Sequence, residues 1–217
     1  NIVHKPFLTE WKIKNGYTAE VELKKAIRLG NLTHDILERL LNGEDINFEG
    51  ESEYYVRGEK VFIKRGMLKA IISFCEWWND GTPKKMIQTE VSLYNEKRDW
   101  CGTADMVCDI LNKKTDKWER WLIDFKTSKQ LSEQVDLQLT AYSILYNDYN
   151  PETPIERVGA LHCKKGWLRA HTCKANLKEF KIVPDIWAGA VNLFYHYNPK
   201  ARIKSQLQRK YELITYE

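Results

Sequence analysis

The apolar positions of the chain change period along its length, and the changes mark out its elements. From Asn1 to Gly16 no period is evident, which reads as an irregular entry resting on the core through Phe7, Leu8 and Trp11. Ala19 to Leu29 carries Val21, Leu23, Ala26 and Ile27 at helical spacing and stops at Gly30. A second helix follows from Asn31, with Asn31 or Thr33 as its cap and Gly43 past its end. His34 then falls in a first turn, on the inward face it shares with Leu37 and Leu41. Glu44 to Lys60 gathers acidic and turn residues around Tyr54 and Tyr55 and reads as a loop with room for a short strand or hairpin. Val61 to Asp80 returns to helical spacing (Met67, Ala70, Ile71, Phe74, Trp77, Trp78) and is ended by Asn79-Asp80-Gly81 and Pro83.

The period then drops to two. Lys85 to Tyr94, Trp100 to Leu111 and Lys117 to Phe125 read as strands, separated by the polar turns Asn95 to Asp99 and Asn112 to Asp116. Connections this short make an antiparallel meander. Leu131 to Tyr149 is helical, with Leu131, Val135, Tyr142, Leu145 and Tyr149 on one face and Gln138 on the same stripe. Beyond Pro151 and Pro154, Ile155 to Cys163 reads as a strand, with Trp167 to Cys173 as its hairpin partner across Lys164-Lys165-Gly166. Pro184 to Tyr197 closes the fold as a helix, and Asn198 to Glu217 is a basic tail (Lys200, Arg202, Lys204, Arg209, Lys210) that a helix would suit.

Composition narrows the class. A chain of 217 residues with 43% apolar and 29% charged positions is a folded protein with a real core, read as one domain over 1–217, its core near 30–197 and its tail at 198–217. A net charge of +4 suits a nucleic-acid partner only through a local basic surface. Most of the eight tryptophans and eleven tyrosines are assigned to packing rather than base stacking. There is no run of about eighteen apolar residues and no charged-then-apolar start, so no membrane partner and a cytoplasmic, intracellular location are expected. Cys75, Cys101, Cys108, Cys163 and Cys173 are scattered without a C-x-x-C, which speaks against a disulfide framework and a zinc ribbon.

Candidate chemistry concentrates on the last meander strand. Side chains alternate there, so Asp124 and Lys126 point one way and Phe125 the other. Two readings fit: an ordinary ion pair at a strand end, or a hard-cation site in which Asp124 ligates Mg²⁺ or Mn²⁺ beside Lys126. Asp105, among apolar neighbours in the middle strand, is expensive unless partnered. It can lie beside Asp124, and two such carboxylates repel unless a cation sits between them; otherwise Asp105 caps a turn or pairs with an arginine. Gly102 suits the close approach of another backbone or a substrate. His34, at a helix N-terminus, is expected to be the neutral imidazole a metal requires, although a lone histidine on an apolar face is more often a core residue. Gln138 and Tyr142, four apart, can reach a phosphate or order Lys126. Glu90 either serves a metal's water shell or pairs with a basic residue.

In order, G-x-x-x-H (Gly30 to His34), G-x-x-D (Gly102 to Asp105), D-x-K-T (Asp124 to Thr127) and Q-x-x-x-Y (Gln138 to Tyr142) lie in helix, three strands, helix. The set resembles the RecB-like branch of the PD-(D/E)XK nuclease superfamily over roughly Gly30 to Cys163. The resemblance implies an α/β (α+β) fold with a restriction-endonuclease-like core, a mixed central sheet whose antiparallel three-strand meander is flanked by helices. It implies Mg²⁺ or Mn²⁺ held by His34, Asp105, Asp124 and the Phe125 carbonyl, Lys126 as catalytic lysine, and Gln138 and Tyr142 positioning DNA. Glu90 matches an acidic position often found on the first strand and joins Asp105, Asp124 and Lys126 as a catalytic candidate. The implied activity is a metal-dependent DNA exonuclease of recombination, repair or replication, acting on DNA that is single-stranded or has free ends. A structure-specific endonuclease and a catalytically silent DNA-binding subunit are the alternatives. Relatives with an iron–sulfur cluster carry one cysteine ahead of the helical histidine and three near the C-terminus. Here none precedes His34 and only Cys163 and Cys173 come late, so no cluster is expected. The lack of helicase motifs implies a stand-alone module of phage or small recombination exonuclease size.

Overall fold

The computed structural model describes residues 6–46, 53–56, 59–62, 65–128, 130–132, 134–163 and 174–201. The period-two segments form strands β3 (Lys84–Asn95), β4 (Trp100–Asn112) and β5 (Lys117–Lys126), paired as an antiparallel meander. Asp99 and Asp116 end its two turns at φ of 63° and 53°, a conformation short acidic side chains tolerate better than most. Strand β6 (Arg157–His162) joins β5 in parallel, and β7 (Asn176–Phe180) joins β6 antiparallel, giving the order β3-β4-β5-β6-β7. A parallel pair needs a crossover, and helix α4 (Val135–Tyr149) supplies it. The result is a mixed five-stranded sheet flanked by helices, an α+β arrangement.

Both faces of the sheet are covered, so the central strands are continuously buried from Ala104 to Cys108 and from Trp121 to Phe125. On one face, helices α2 (Ala19–Leu41) and α3 (Arg65–Trp78) pack Ile36, Met67 and Phe74 against Met106, Ile123 and Phe125. On the other, α4 packs Leu139 and Leu145 against Leu93, Leu122 and Ala160. Helix α5 (Pro184–Tyr197) lies on α4 and has no fully buried residue.

Several boundaries differ from expectation for physical reasons. The entry is helical: α1 (Pro6–Asn15) leads through a 3₁₀ turn (Gly16–Thr18) into α2. It has no apolar stripe, so no period marked it; Trp11 is half-buried, while the Phe7 and Leu8 side chains lie outside the described set. Gly30 does not end a helix. Its φ is outside the positive region, and its cost of about 1 kcal/mol is offset by the burial of Leu32, Ile36 and Leu37 in the same helix. His34 is therefore in mid-helix. Strands β1 (Glu53–Val56) and β2 (Glu59–Phe62) form a hairpin that takes up Val61 and Phe62, so α3 starts later than its apolar spacing suggested. Helix α4 starts at Val135, and Tyr149 is 58% exposed while Leu139, Thr140, Ser143 and Tyr146 are buried. The sheet and α5 cover α4 on two sides, so no single stripe describes it. The strand beside β6 is β7; the expected partner Trp167 to Cys173 and the tail from Arg202 onward lie outside the described residues. Among the described residues no helix is long and apolar enough to cross a membrane.

Candidate metal centre

The site forms where the meander's ladder gives out. Strands β4 and β5 pair as far as Met106 with Ile123; one residue on, Asp105 stands across from Asp124. On the other side, Thr89 pairs with Met106 and Val91 with Ala104, so Glu90 and Asp105 face one another between them. Glu90 sits at φ 46° in the interior of its strand, a left-handed conformation costly for a residue with a side chain. Asp105 replaces the missing ladder acceptor: its Oδ2 accepts the Phe125 backbone N–H at 2.5 Å. Its Oδ1 lies 3.1 Å from His34 Nδ1, which α2 brings over the sheet, with the imidazole edge-on to the Phe125 ring at 5.8 Å.

Ligand atoms of His34, Glu90 and Asp105 all lie within 4.8 Å of one another. Asp124 is outside that trio. Lys126 Nζ is 2.5 Å from its Oδ2, and its Oδ1 accepts from Gln138 Nε2 at 3.2 Å. That Oδ2 is buried and pairs with the Lys126 ammonium. An imidazole and two carboxylates whose ligand atoms lie within 4.8 Å of one another, next to a third, buried carboxylate, are a donor set that fits a hard divalent cation. Phe125 enters the site through its backbone N–H and its ring.

Electrostatics bear the strain of crowded acids. Burial and then the charge of Asp105 raise the Asp124 carboxyl above its ordinary range, against the pull of Lys126 and His34. Burial alone would lower the pKa of His34, yet its hydrogen bond to Asp105 and the charges of Asp105 and Asp124 outweigh it, and the net shift is upward. The N-terminal cause expected for a neutral imidazole is absent, because His34 lies inside α2 rather than in its first turn, and the acids beside it pull its pKa the other way.

Gln138 and Tyr142 project from one face of α4 into the same site. Gln138 Oε1 accepts from Lys126 Nζ at 3.1 Å, and Nε2 donates to the Tyr142 hydroxyl at 3.1 Å as well as to Asp124. Burial raises the Tyr142 phenol, against the pull of Gln138. What approaches Gly102 closely is the Tyr142 ring, which occupies the space a Cβ would need. At Gly30 a Cβ would only touch Thr127 Oγ1 at 3.7 Å, so that glycine has no comparable steric reason. One neighbour escaped the sequence reading: buried His162, beside Lys126 in the parallel register, has Nε2 2.6 Å from the Ser128 carbonyl and so anchors the chain leaving the site. No protein-family model and no curated protein matches the chain, so the geometry carries the functional reading.

Proposed function

We propose that the chain is a divalent-metal-dependent DNA nuclease, a phosphodiester hydrolase using Mg²⁺ or Mn²⁺ and acting as an exonuclease on DNA that is single-stranded or has free ends. The observation that carries the reading is the convergence of His34, Glu90 and Asp105 beside the buried Asp124 and Lys126. The order of the four motifs along a helix, a meander and a helix supports a restriction-endonuclease-like core of the RecB-like kind. Four oxygen-bearing or imidazole side chains favour Mg²⁺ or Mn²⁺ over softer metals. A divalent ion bound there supplies Lewis-acid stabilisation of phosphate charge and a more acidic water.

His34, Glu90 and Asp105 would hold the ion, with the buried Asp124 carboxylate and the Phe125 carbonyl as further oxygen donors beside them. Lys126 presents its ammonium beside the acids, where it offsets charge on the scissile phosphate and orients the attacking water by donating a hydrogen bond to its oxygen. Phe125 and Phe74, ring to ring at 5.5 Å, wall off the site from beneath. A role in DNA recombination, repair or replication and a cytoplasmic location go with this reading.

The test is digestion of single- and double-stranded DNA, linear and circular, with each end labelled separately and Mn²⁺ present or chelated. Loss of label from linear DNA alone supports the exonuclease, and Lys126→Ala should abolish it while the protein stays folded. Cutting of circles makes the enzyme an endonuclease; binding without cleavage makes it a silent subunit. A folded wild type that neither binds nor cuts DNA removes the proposal.

A further inference from the structure

The four motifs are not four independent contacts, because the last three lock together. Lysine has three donors and no acceptor, so Gln138 can only turn its oxygen toward Lys126. Its amide then faces Asp124 Oδ1 and the Tyr142 hydroxyl, and both N–H groups are committed. A phosphate needs donors, and Gln138 has none left; its one remaining lone pair would repel a phosphate oxygen. Tyr142 still has its own O–H to offer. The tyrosine ring reaches this position only because residue 102 has no Cβ to collide with it.

We propose that Gln138 is a positioning residue for the Lys126 and Asp124 pair, rather than a DNA contact, and that Tyr142 seated on Gly102 fixes the orientation of its amide. This rests on the nuclease reading above. The glycine of G-x-x-D, the pair of D-x-K-T and both residues of Q-x-x-x-Y then form one device: backbone space on β4 seats a ring, the ring's hydroxyl orients an amide, and the amide holds lysine and aspartate in register.

The test compares Gln138→Met, which keeps length and bulk without hydrogen bonds, with Tyr142→Phe, Gly102→Ala and the Gln138→Met/Tyr142→Phe double variant. Two quantities are measured: the single-turnover rate at saturating DNA with Mn²⁺, and the dissociation constant for DNA with Ca²⁺ in its place. Gln138→Met should lower the rate about ten- to hundredfold, the range for a residue that orients a metal-site group, with DNA affinity unchanged. Tyr142→Phe and Gly102→Ala should lower it less, and the double variant should be no slower than Gln138→Met alone, because the two act in series. A metal-free readout is independent of activity: the side-chain amide protons of Gln138, slow to exchange by NMR in the wild type, should exchange faster in Tyr142→Phe. Weakened DNA binding with an unchanged saturated rate in Gln138→Met, or strictly additive losses, would overturn the inference while leaving the nuclease intact. A wild type that cleaves nothing overturns both.

Discussion

Replacing Glu90 by glycine should relieve a strained backbone and leave the protein unable to gain its full stability from metal. At φ 46° a residue with a Cβ costs about 1–2 kcal/mol that glycine avoids, against about 0.5–1 kcal/mol for the extra freedom glycine brings to the unfolded chain. The Glu90 and Asp105 oxygens lie within 4.8 Å, where two carboxylates repel by about 3.5 kcal/mol at an effective dielectric near 20. Glu90 is exposed, so water and counterions reduce that repulsion to about 1 kcal/mol or less. Together these favour Glu90→Gly by about 1 kcal/mol, which the loss of the interaction Glu90 makes offsets, so in EDTA the variant should melt within about 4 °C of the wild type. Saturating metal stabilises the wild type by about 2.7 kcal/mol at a hundred times its dissociation constant, and the variant should lose most of that increment. Calorimetry on EDTA-treated protein, repeated with Mn²⁺, separates the two effects. A variant that melts more than about 4 °C from the wild type in EDTA, or that keeps the full Mn²⁺ increment, refutes the reasoning.

Other sites give contrasting magnitudes. Asp80 binds Lys84 at 2.7 Å and Lys174 at 2.6 Å and accepts the Thr82 N–H; burial acts to raise its pKa, but these partners outweigh it and hold the carboxyl well below the usual range. A depressed folded pKa gives stability that is present above the unfolded value near 3.9 and lost as pH falls through the folded one. Asp80→Asn leaves the Lys84 charge, on a side chain 3% exposed, with no anion and with the carbonyls of Trp77, Trp78 and Thr82 as partners, so urea unfolding should record a loss of up to about 3 kcal/mol at pH 7, shrinking below about pH 4. Arg98 grips Asp148 with two nitrogens at 2.6 and 2.9 Å, yet it is exposed, and Arg98→Ala should cost less than about 1 kcal/mol and still less in high salt. A Cβ on Gly159 would lie 2.8 Å from Leu177 Cδ1 and 3.3 Å from the Lys178 carbonyl, so Gly159→Ala should cost about 1–3 kcal/mol by prising β7 from β6.

The meander was legible because period-two alternation and short polar turns leave an antiparallel sheet few alternatives, and the register follows from the turns. That register also places Asp105 beside Asp124. His34 was correctly turned inward, since the face it shares with Leu37 is set by spacing alone. Its electrostatics differ from the sequence expectation because tertiary burial carries α2 through Gly30, leaving His34 inside the helix rather than in a first turn. Glu90's place in the trio was hidden: a positive φ within a strand and a gap in the ladder are properties of the backbone, and no glycine or asparagine announced them. Gly102 was marked as a close approach, but only the fold reveals that the approaching group is Tyr142, forty residues away in sequence.

The proposed chemistry depends above all on one shared cation. Titration of Mn²⁺ into EDTA-stripped protein, followed by calorimetry or electron paramagnetic resonance, tests it most directly. Saturable binding to the wild type, abolished in Asp105→Ala and severely weakened in His34→Ala with both variants still folded, is the predicted result. Equal binding by wild type and Asp105→Ala, or no binding by the wild type, would contradict it.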